Sequence, residues 1–349
     1  MKQIFGRREA RVLSGVGILP VFLSILLVVP NQAYAHVKWF APYDVTSAPQ
    51  RLASVMTPLF AELLLLSIFL LWFGAALETT KLGGAISRAV DSVVAALRPR
   101  TDALIRGGTA IFFTAVFVVG NIILTPELTT AARATQWLQA AIAIGVFWER
   151  TMILSGLGII ALFVQGVWSY GLFHMMDYPI FLGAAGYLIM RGLRLETVRG
   201  VRPLDVVLWC SAITLMWASI EKWAYPNWSY PVLSAHPDLT DGLDPKFFMV
   251  AAGMVEFSLS FALLWTPLVR RVAAMILVSM FISAVLEFGK IDAIGHLLIV
   301  VLLLAIVADD KASCRSKPSR APLWYSVALA ATIAAYYFGH AFLYWNPVV

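Results

Sequence analysis

The chain has 349 residues, of which 60% are hydrophobic and only 13% are charged, and its mean hydropathy is +0.81. Soluble domains contain roughly 45–50% apolar and about 25% charged residues, so this composition excludes a soluble globular protein. It also excludes a disordered, collagen-like or porin-type chain. Apolar runs near the ~20 residues that cross a bilayer recur along the sequence, which predicts an all-α, polytopic transmembrane helical bundle.

Residues 1–35 have the pattern of a secretory signal peptide. Basic residues precede the apolar run 12–29, Pro30 follows it, and Ala33 and Ala35 form a small-residue cleavage site. Cleavage there would leave His36 as the mature N-terminus. The alternative is an uncleaved signal anchor, because the apolar run is longer than many signal peptides need.

About nine to ten transmembrane spans are predicted after residue 36. They lie at about 55–77, 105–124, 134–148, 151–171, 178–190, 204–223, 247–266, 272–288, 293–308 and 323–343. The spans 134–148 and 178–190 are short, so we expect tilted half-spans or helices that extend into neighbouring residues. The segment 82–104 alternates charged and apolar residues at helical spacing, which favours a connector along the inner membrane surface.

The net charge of +6 fits a membrane topology. With residue 36 outside, the inner loops hold 16 of the 26 Lys and Arg, the outer segments hold six, and four precede the apolar run of the signal segment. Cytoplasmic loops carry the excess of basic residues in multi-pass proteins. The distribution predicts a bacterial-type inner-membrane protein with external mature N- and C-termini, whose partners include the lipid bilayer and exclude nucleic acid.

An internal similarity divides the chain further. The span end at 121–126 and the span end at 221–226 are offset by 100 residues, and outer turns at 171–177 and 289–296 each lead into a new apolar helix. We therefore predict a signal segment at 1–35, an external segment with the first span and inner connector at 36–104, a four-helix unit at 105–202, a second at 203–310, and an inner linker with the last span at 311–349.

The second unit carries recognisable motifs. Glu221-Lys222 precedes an aromatic, proline-rich loop, Glu287-Phe-Gly-Lys290 ends the third helix, and Asp292-x-x-Gly-His296 opens the fourth. This arrangement resembles the DoxX-like membrane proteins, well over the second unit and weakly over the first. The resemblance implies membrane electron transfer, with thiol or sulfur redox chemistry, in partnership with an oxidoreductase. The two cysteines, Cys210 and Cys314, are not paired in a C-x-x-C motif, which argues against a thiol relay within this chain.

Ionisable residues in or beside the spans form the candidate site. A charged carboxylate within the bilayer costs at least ~2.5–3.5 kcal/mol on insertion scales, so it is expected to face the bundle interior and to find a proton, a cation or a hydrogen-bond partner. The predicted catalytic residues are Glu221, Glu256, Glu287, Asp292 and His296, and the predicted cofactor-binding residues are Lys222, Lys290, Trp223 and Trp228. Such a set could handle protons at quinol oxidation or bind a cation; the alternative is that it only fixes helix packing.

All five histidines fall on the external half of the predicted topology. Imidazole is a common metal ligand, and a processed His36 would add its α-amine, so copper bound by His36, His174 and His236 is a second possibility. Histidines at outer turns also cap helices or bind lipid headgroups.

Three functions remain open. The protein is a redox-associated subunit that acts with quinone and an exported or membrane oxidoreductase, a copper-handling protein, or a scaffold without a site of its own. The aromatic loop 223–245 is either an interfacial belt or a lid. No sequence motif supports hydrolase or nucleotide chemistry, and whether the chain is an enzyme stays undecided.

Overall fold

A computed structural model describes residues 37–240, 242–311 and 318–344. Within these residues the protein consists of fifteen α-helices and no strands. The helices are α1 (Val37–Phe40), α2 (Leu52–Val55), α3 (Pro58–Glu78), α4 (Lys81–Val94), α5 (Thr101–Val119), α6 (Arg133–Gly145), α7 (Glu149–Tyr170), α8 (Leu172–Met175), α9 (Pro179–Gly192), α10 (Pro203–Ala224), α11 (Pro226–Ala235), α12 (Pro245–Ala262), α13 (Pro267–Phe288), α14 (Lys290–Ala308) and α15 (Ala321–Tyr344).

The helices confirm a multi-pass helical membrane protein. In the described part of the chain, eight helices are long and apolar enough to cross a bilayer, namely α3, α5, α7, α10, α12, α13, α14 and α15. The two short predicted spans are helices of 13 and 14 residues, α6 and α9. At 1.5 Å per residue each is about 20 Å long, too short to cross alone. The full number of spans therefore stays a prediction.

Prolines and glycines explain where the helix ends differ from the predicted ones. Pro267 occupies the first turn of α13, where its missing N–H costs nothing, so this helix starts five residues before the predicted span at 272. At the other end of the bundle, Gly120 has φ +75° and ends α5. The residues up to 124 were expected to continue that span, but they form a buried turn instead.

Two groups of four helices form the body of the protein. In one group α5, α6, α7 and α9 contact one another in chain order, and in the other α10, α12, α13 and α14 do the same. The groups meet where α9 packs on α10 and α14 packs on α5. At the second contact a Cβ on Gly108 would lie 2.4 Å from Val301, so only glycine permits this approach. This grouping has the membership of the predicted units, whose duplication stays a prediction.

The remaining helices surround this body. Helices α3 and α15 contact each other and pack against the second group. Helix α4 follows α3 with Thr80 as its N-cap and buries only Gly83, Val90 and Val94, as expected of an amphipathic connector. Helices α1 and α11 lie at the end of the bundle where α10 ends and α14 begins.

Arginines with many polar contacts lie at the opposite end of the bundle. Arg202 bonds Asp205 and Asp309, and Arg271 bonds Asp91 and the carbonyl of Val307. These contacts join helix ends that are far apart in sequence, so they fix the ends of the bundle.

Candidate functional site

A buried lysine stands at the centre of the outer end of the bundle, meaning the end predicted to be external. Lys38 of α1 is 4% exposed and forms ion pairs with Asp177, in the turn before α9, and with Glu221, in the last turn of α10. Its Nζ also lies 5.8 and 5.7 Å from the ring centres of Tyr43 and Trp228. Burial opposes the charge, but the two carboxylates outweigh burial and raise the pKa of Lys38, so it stays an ammonium.

A cavity of about 260 Å³ lies beside this lysine, between α9, α10, α12, α13 and α14. Its walls are largely apolar, with Phe181, Leu215, Leu277, Phe281 and Ile299 among the lining residues. Trp39 and Trp228 cover the cavity from α1 and α11. Its other polar lining residues are Thr125, Asp177, Tyr178, Thr214, Glu221, Lys222, Tyr225, Ser229, Glu256 and His296.

Two pairs of ionisable residues contribute to the polar lining. Lys222 forms an ion pair with Glu256 across α10 and α12, and the Lys222 side chain keeps 31% of its surface accessible. His296 Nδ1 lies 2.8 Å from Asp292 Oδ2, one turn earlier on α14. Asp292 is completely buried, so the contact fixes the orientation of the imidazole ring.

Aromatic rings flank His296 on the cavity side. Its ring centre is 5.0 Å from that of Trp39 and 4.6 Å from that of Phe281. The neighbouring Gly295 provides the space for Trp39, because a Cβ at this position would lie 1.9 Å from the indole ring.

Five of the nine predicted catalytic and cofactor-binding residues line one cavity. These are Glu221, Lys222, Trp228, Glu256 and His296, with Asp292 directly behind His296. The helices α10, α12 and α14 converge at their outer ends and bring these side chains together. These residues were predicted from the sequence, but the ion pairs and hydrogen bonds between them were not.

Besides Asp292, three predicted residues lie outside the cavity lining. Glu287 is 40% exposed in its side chain and contacts His236 Nδ1 at 3.0 Å. Lys290, in the first turn of α14, is half-buried. Trp223 is buried between α10 and α12, where its indole N–H donates to the carbonyl of Val250. The last two turns of α13 thus point Glu287 towards α11 and leave Phe288 buried.

The predicted copper ligands are not grouped in the described residues. His174 is buried among Tyr43, Tyr170 and Tyr178, and burial, assisted by the charge of Lys38, lowers its pKa to about 3. His236 contacts Glu287, and His36 lies outside the described residues. Within residues 37–240, 242–311 and 318–344 no three His, Cys, Asp or Glu side chains are arranged to hold a metal ion. Copper binding stays a prediction that depends on His36.

Sequence reasoning missed four residues around the site, namely Lys38, Trp39, Glu127 and Asp177. The lysine and its two partners are separated by 139 and 183 positions, which no local pattern reveals. One signal was present for Asp177, because it precedes α9 at the outer turn that the internal similarity aligns with the turn carrying Asp292.

Comparison of the chain with protein-family models, with curated proteins and with solved structures finds no match. The functional argument therefore depends on the cavity and on the charged residues beside it.

Proposed function

We propose that the protein is a DoxX-like inner-membrane subunit that binds a quinol headgroup in the cavity and conducts its protons to the external face. Oxidation of a quinol breaks two O–H bonds and yields two protons and two electrons. The electrons pass to an exported or membrane oxidoreductase, the partner class that the resemblance implies. The residues of this chain bind the ring and accept the protons.

One observation carries the proposal: the cavity combines apolar walls with two pairs of ionisable side chains. Its volume of about 260 Å³ is slightly below the roughly 300–1,000 Å³ of common ligand pockets, which suits a single ring. An isoprenoid tail needs no enclosed space, since lipid surrounds the bundle.

The polar side chains have complementary roles in this proposal. Lys222 and His296 can hydrogen-bond the two ring oxygens, while Asp292 keeps the imidazole oriented. Glu256 forms an ion pair with Lys222, and Glu221 forms one with Lys38. A proton released from the ring can therefore reach the carboxylate of either ion pair. The aromatic rings of Trp39 and Phe281 flank the imidazole and exclude water from this part of the cavity.

The direction of proton release follows from the distribution of charge. The end of the bundle away from the cavity carries most of the Lys and Arg residues, which supports a cytoplasmic location for that end. The cavity end, with both α1 and the C-terminal end of α15, is then external.

Quinone binding can be tested by tryptophan fluorescence of the purified full chain, because Trp39 and Trp228 line the cavity. We expect saturable quenching by a short-chain ubiquinone. His296→Ala should weaken binding about tenfold, corresponding to about 1.4 kcal/mol, through loss of one hydrogen bond.

His236→Gln is the matched control, since this histidine lies outside the cavity lining. It should bind the quinone as the parent protein does. Quenching that does not saturate, or equal affinities in the two variants, would contradict the proposed function.

A further inference from the structure

A group of polar atoms beside Lys38 is buried without hydrogen-bond partners in the described part of the chain. Four residues of this group, Thr125, His174, Asp177 and Tyr178, are at most 5% exposed. The atoms are Thr125 Oγ1, both carboxylate oxygens of Glu127, His174 Nε2, Asp177 Oδ1 and Tyr178 Oη. Buried polar atoms in folded proteins are nearly always satisfied, and ordered water does so where side chains do not. This concentration at one place indicates an internal hydrated chamber.

The loop between α5 and α6 holds Glu127 in this position. The Ile123 N–H donates to the carbonyl of Leu128 at 2.7 Å, and Gln139 of α6 donates to the carbonyls of Ile122 and Ile123. Ile123, Leu124 and Leu128 are fully buried, so the loop is anchored in the core. The Glu127 carboxylate consequently stays inside the protein beside Thr125, Lys38 and Asp177.

The charges around the chamber do not balance. Four carboxyl groups, those of Glu127, Asp177, Glu221 and Glu256, accompany only two ammonium groups, those of Lys38 and Lys222. An excess of two negative charges in a low-dielectric interior is costly, and the uptake of one proton halves that excess.

Neighbouring groups cannot supply the positive charge that would balance these carboxylates. The ring of His174 is neutral, because burial lowers its pKa to about 3. Burial and the nearby Glu127 raise the pKa of Tyr43 to about 12, so its hydroxyl is neutral as well. The groups that face Glu127 are therefore one fixed cation, Lys38, one further carboxylate, Asp177, and two neutral side chains.

We propose that this chamber binds ordered water and one exchangeable proton, which resides on Glu127. Thr125, Asp177 and Tyr178 line both the chamber and the cavity, so a proton released in the cavity can reach Glu127 through water.

The environment of Glu127 places its proton exchange near neutrality. Burial raises the pKa of Glu127 to about 7, while its own backbone N–H, the charge of Lys38 and the Thr125 hydroxyl lower the pKa and Asp177 raises it by smaller amounts. The inference deepens the proposed function by naming the proton acceptor, but proton binding at Glu127 does not require a bound quinone.

Infrared titration of the purified full chain, without added quinone, tests the proposal. Between about pH 5 and about pH 9 the carbonyl band of a protonated carboxyl group should disappear, with a midpoint near 7. Glu127→Gln should remove this band. Glu196→Gln should retain it, because Glu196 is an exposed residue of the turn between α9 and α10.

Each result has a definite meaning. A band with this midpoint that persists in Glu127→Gln overturns the proposal. A midpoint that moves when sodium replaces potassium at constant ionic strength also overturns it, because a metal cation would then occupy the chamber. Should Glu127→Gln fail to fold, Glu127→Asp must show the band with a shifted midpoint, and an unshifted band is contrary to the proposal. A normal titration together with absent quinone binding would reject the proposed function alone.

Discussion

At the scale of single residues, the site is organised by the pairing of Lys38 with two carboxylates from different helix groups. Asp177 precedes α9 and Glu221 ends α10, so one ammonium group joins the two groups at their outer contact. All three side chains are largely buried. The loss of one partner therefore costs more than the pair itself contributes, because the remaining charges stay in the interior.

Lys38→Met should lower the free energy of unfolding by about 3–5 kcal/mol, since it leaves two buried carboxylates without their counter-charge. Thermal unfolding in detergent, followed by circular dichroism, measures the effect. Lys246→Met changes an exposed lysine and should have almost no effect. Equal melting temperatures for the two variants would contradict a central role for Lys38.

Glu127 should make stability depend on pH. Its pKa is about 7 in the folded protein against 4.5 ordinarily, so its contribution is fully present below about pH 4.5 and is lost as the pH rises through about 7. This amounts to about 3 kcal/mol at most. Denaturation at a series of pH values should show a decline in the parent that Glu127→Gln lacks, whereas parallel curves would show that this carboxyl is not the titrating group.

At the scale of elements, helix α1 acts as a cover whose position depends on a glycine of α14. Trp39 lies against Gly295 and His296 and lines the cavity, while Phe40 stacks near Phe288 of α13 with ring centres 6.4 Å apart. The ion pairs of Lys38 and these aromatic contacts help to hold this four-residue helix in place.

Gly295→Ala should displace Trp39, because the added Cβ would lie 1.9 Å from its ring. We expect a loss of about 1–3 kcal/mol in stability and greater quenching of tryptophan fluorescence by acrylamide. Gly107→Ala is the matched control, since a Cβ there has no neighbour within 4 Å. Quenching that rises equally in both variants would mean that Gly295 does not position the cover.

The order of helices was predictable from the sequence. The position of α1 over the cavity and the buried polar residues beside Lys38 were not. Apolar length identified eight of the ten predicted spans as long helices because lipid requires that length, and prolines in first turns explain several helix starts. The residues 122–124 were predicted to end a span because they are apolar, but the positive φ of Gly120 turns them into a buried loop. Polar contacts such as those of Lys38 depend on packing between distant segments, which no local pattern specifies.

At the scale of the whole molecule, the two ends of the bundle differ in chemistry. One end joins its helices through arginines that bond carbonyls and aspartates, as Arg271 does with Val307 and Asp91. The other contains the cavity, the buried polar atoms beside Lys38 and the aromatic cover. This polarity agrees with the asymmetry of basic residues along the sequence, so that the site faces the external medium in the proposed orientation.

Reporter fusions test this orientation. A fusion after Arg199, in the turn between α9 and α10, should report a cytoplasmic location, and a fusion after Asp238, between α11 and α12, should report an external one. The two sites flank a single spanning helix, α10, followed by α11. The reverse assignment would place the cavity on the cytoplasmic side and invert the proposed route of the protons, whereas the same location for both would show that α10 does not cross the membrane.

The position of Lys38 also constrains the order in which the protein can be assembled. During synthesis this lysine emerges long before its partners, which follow 139 and 183 residues later. Both ion pairs of Lys38 can therefore form only after the ribosome has completed α10. Until then Lys38 lacks one of the two ion pairs that hold α1 over the cavity. Closure of the outer end is consequently a late event in biogenesis, and a nascent chain arrested between α9 and α10 would possess Asp177 but lack Glu221.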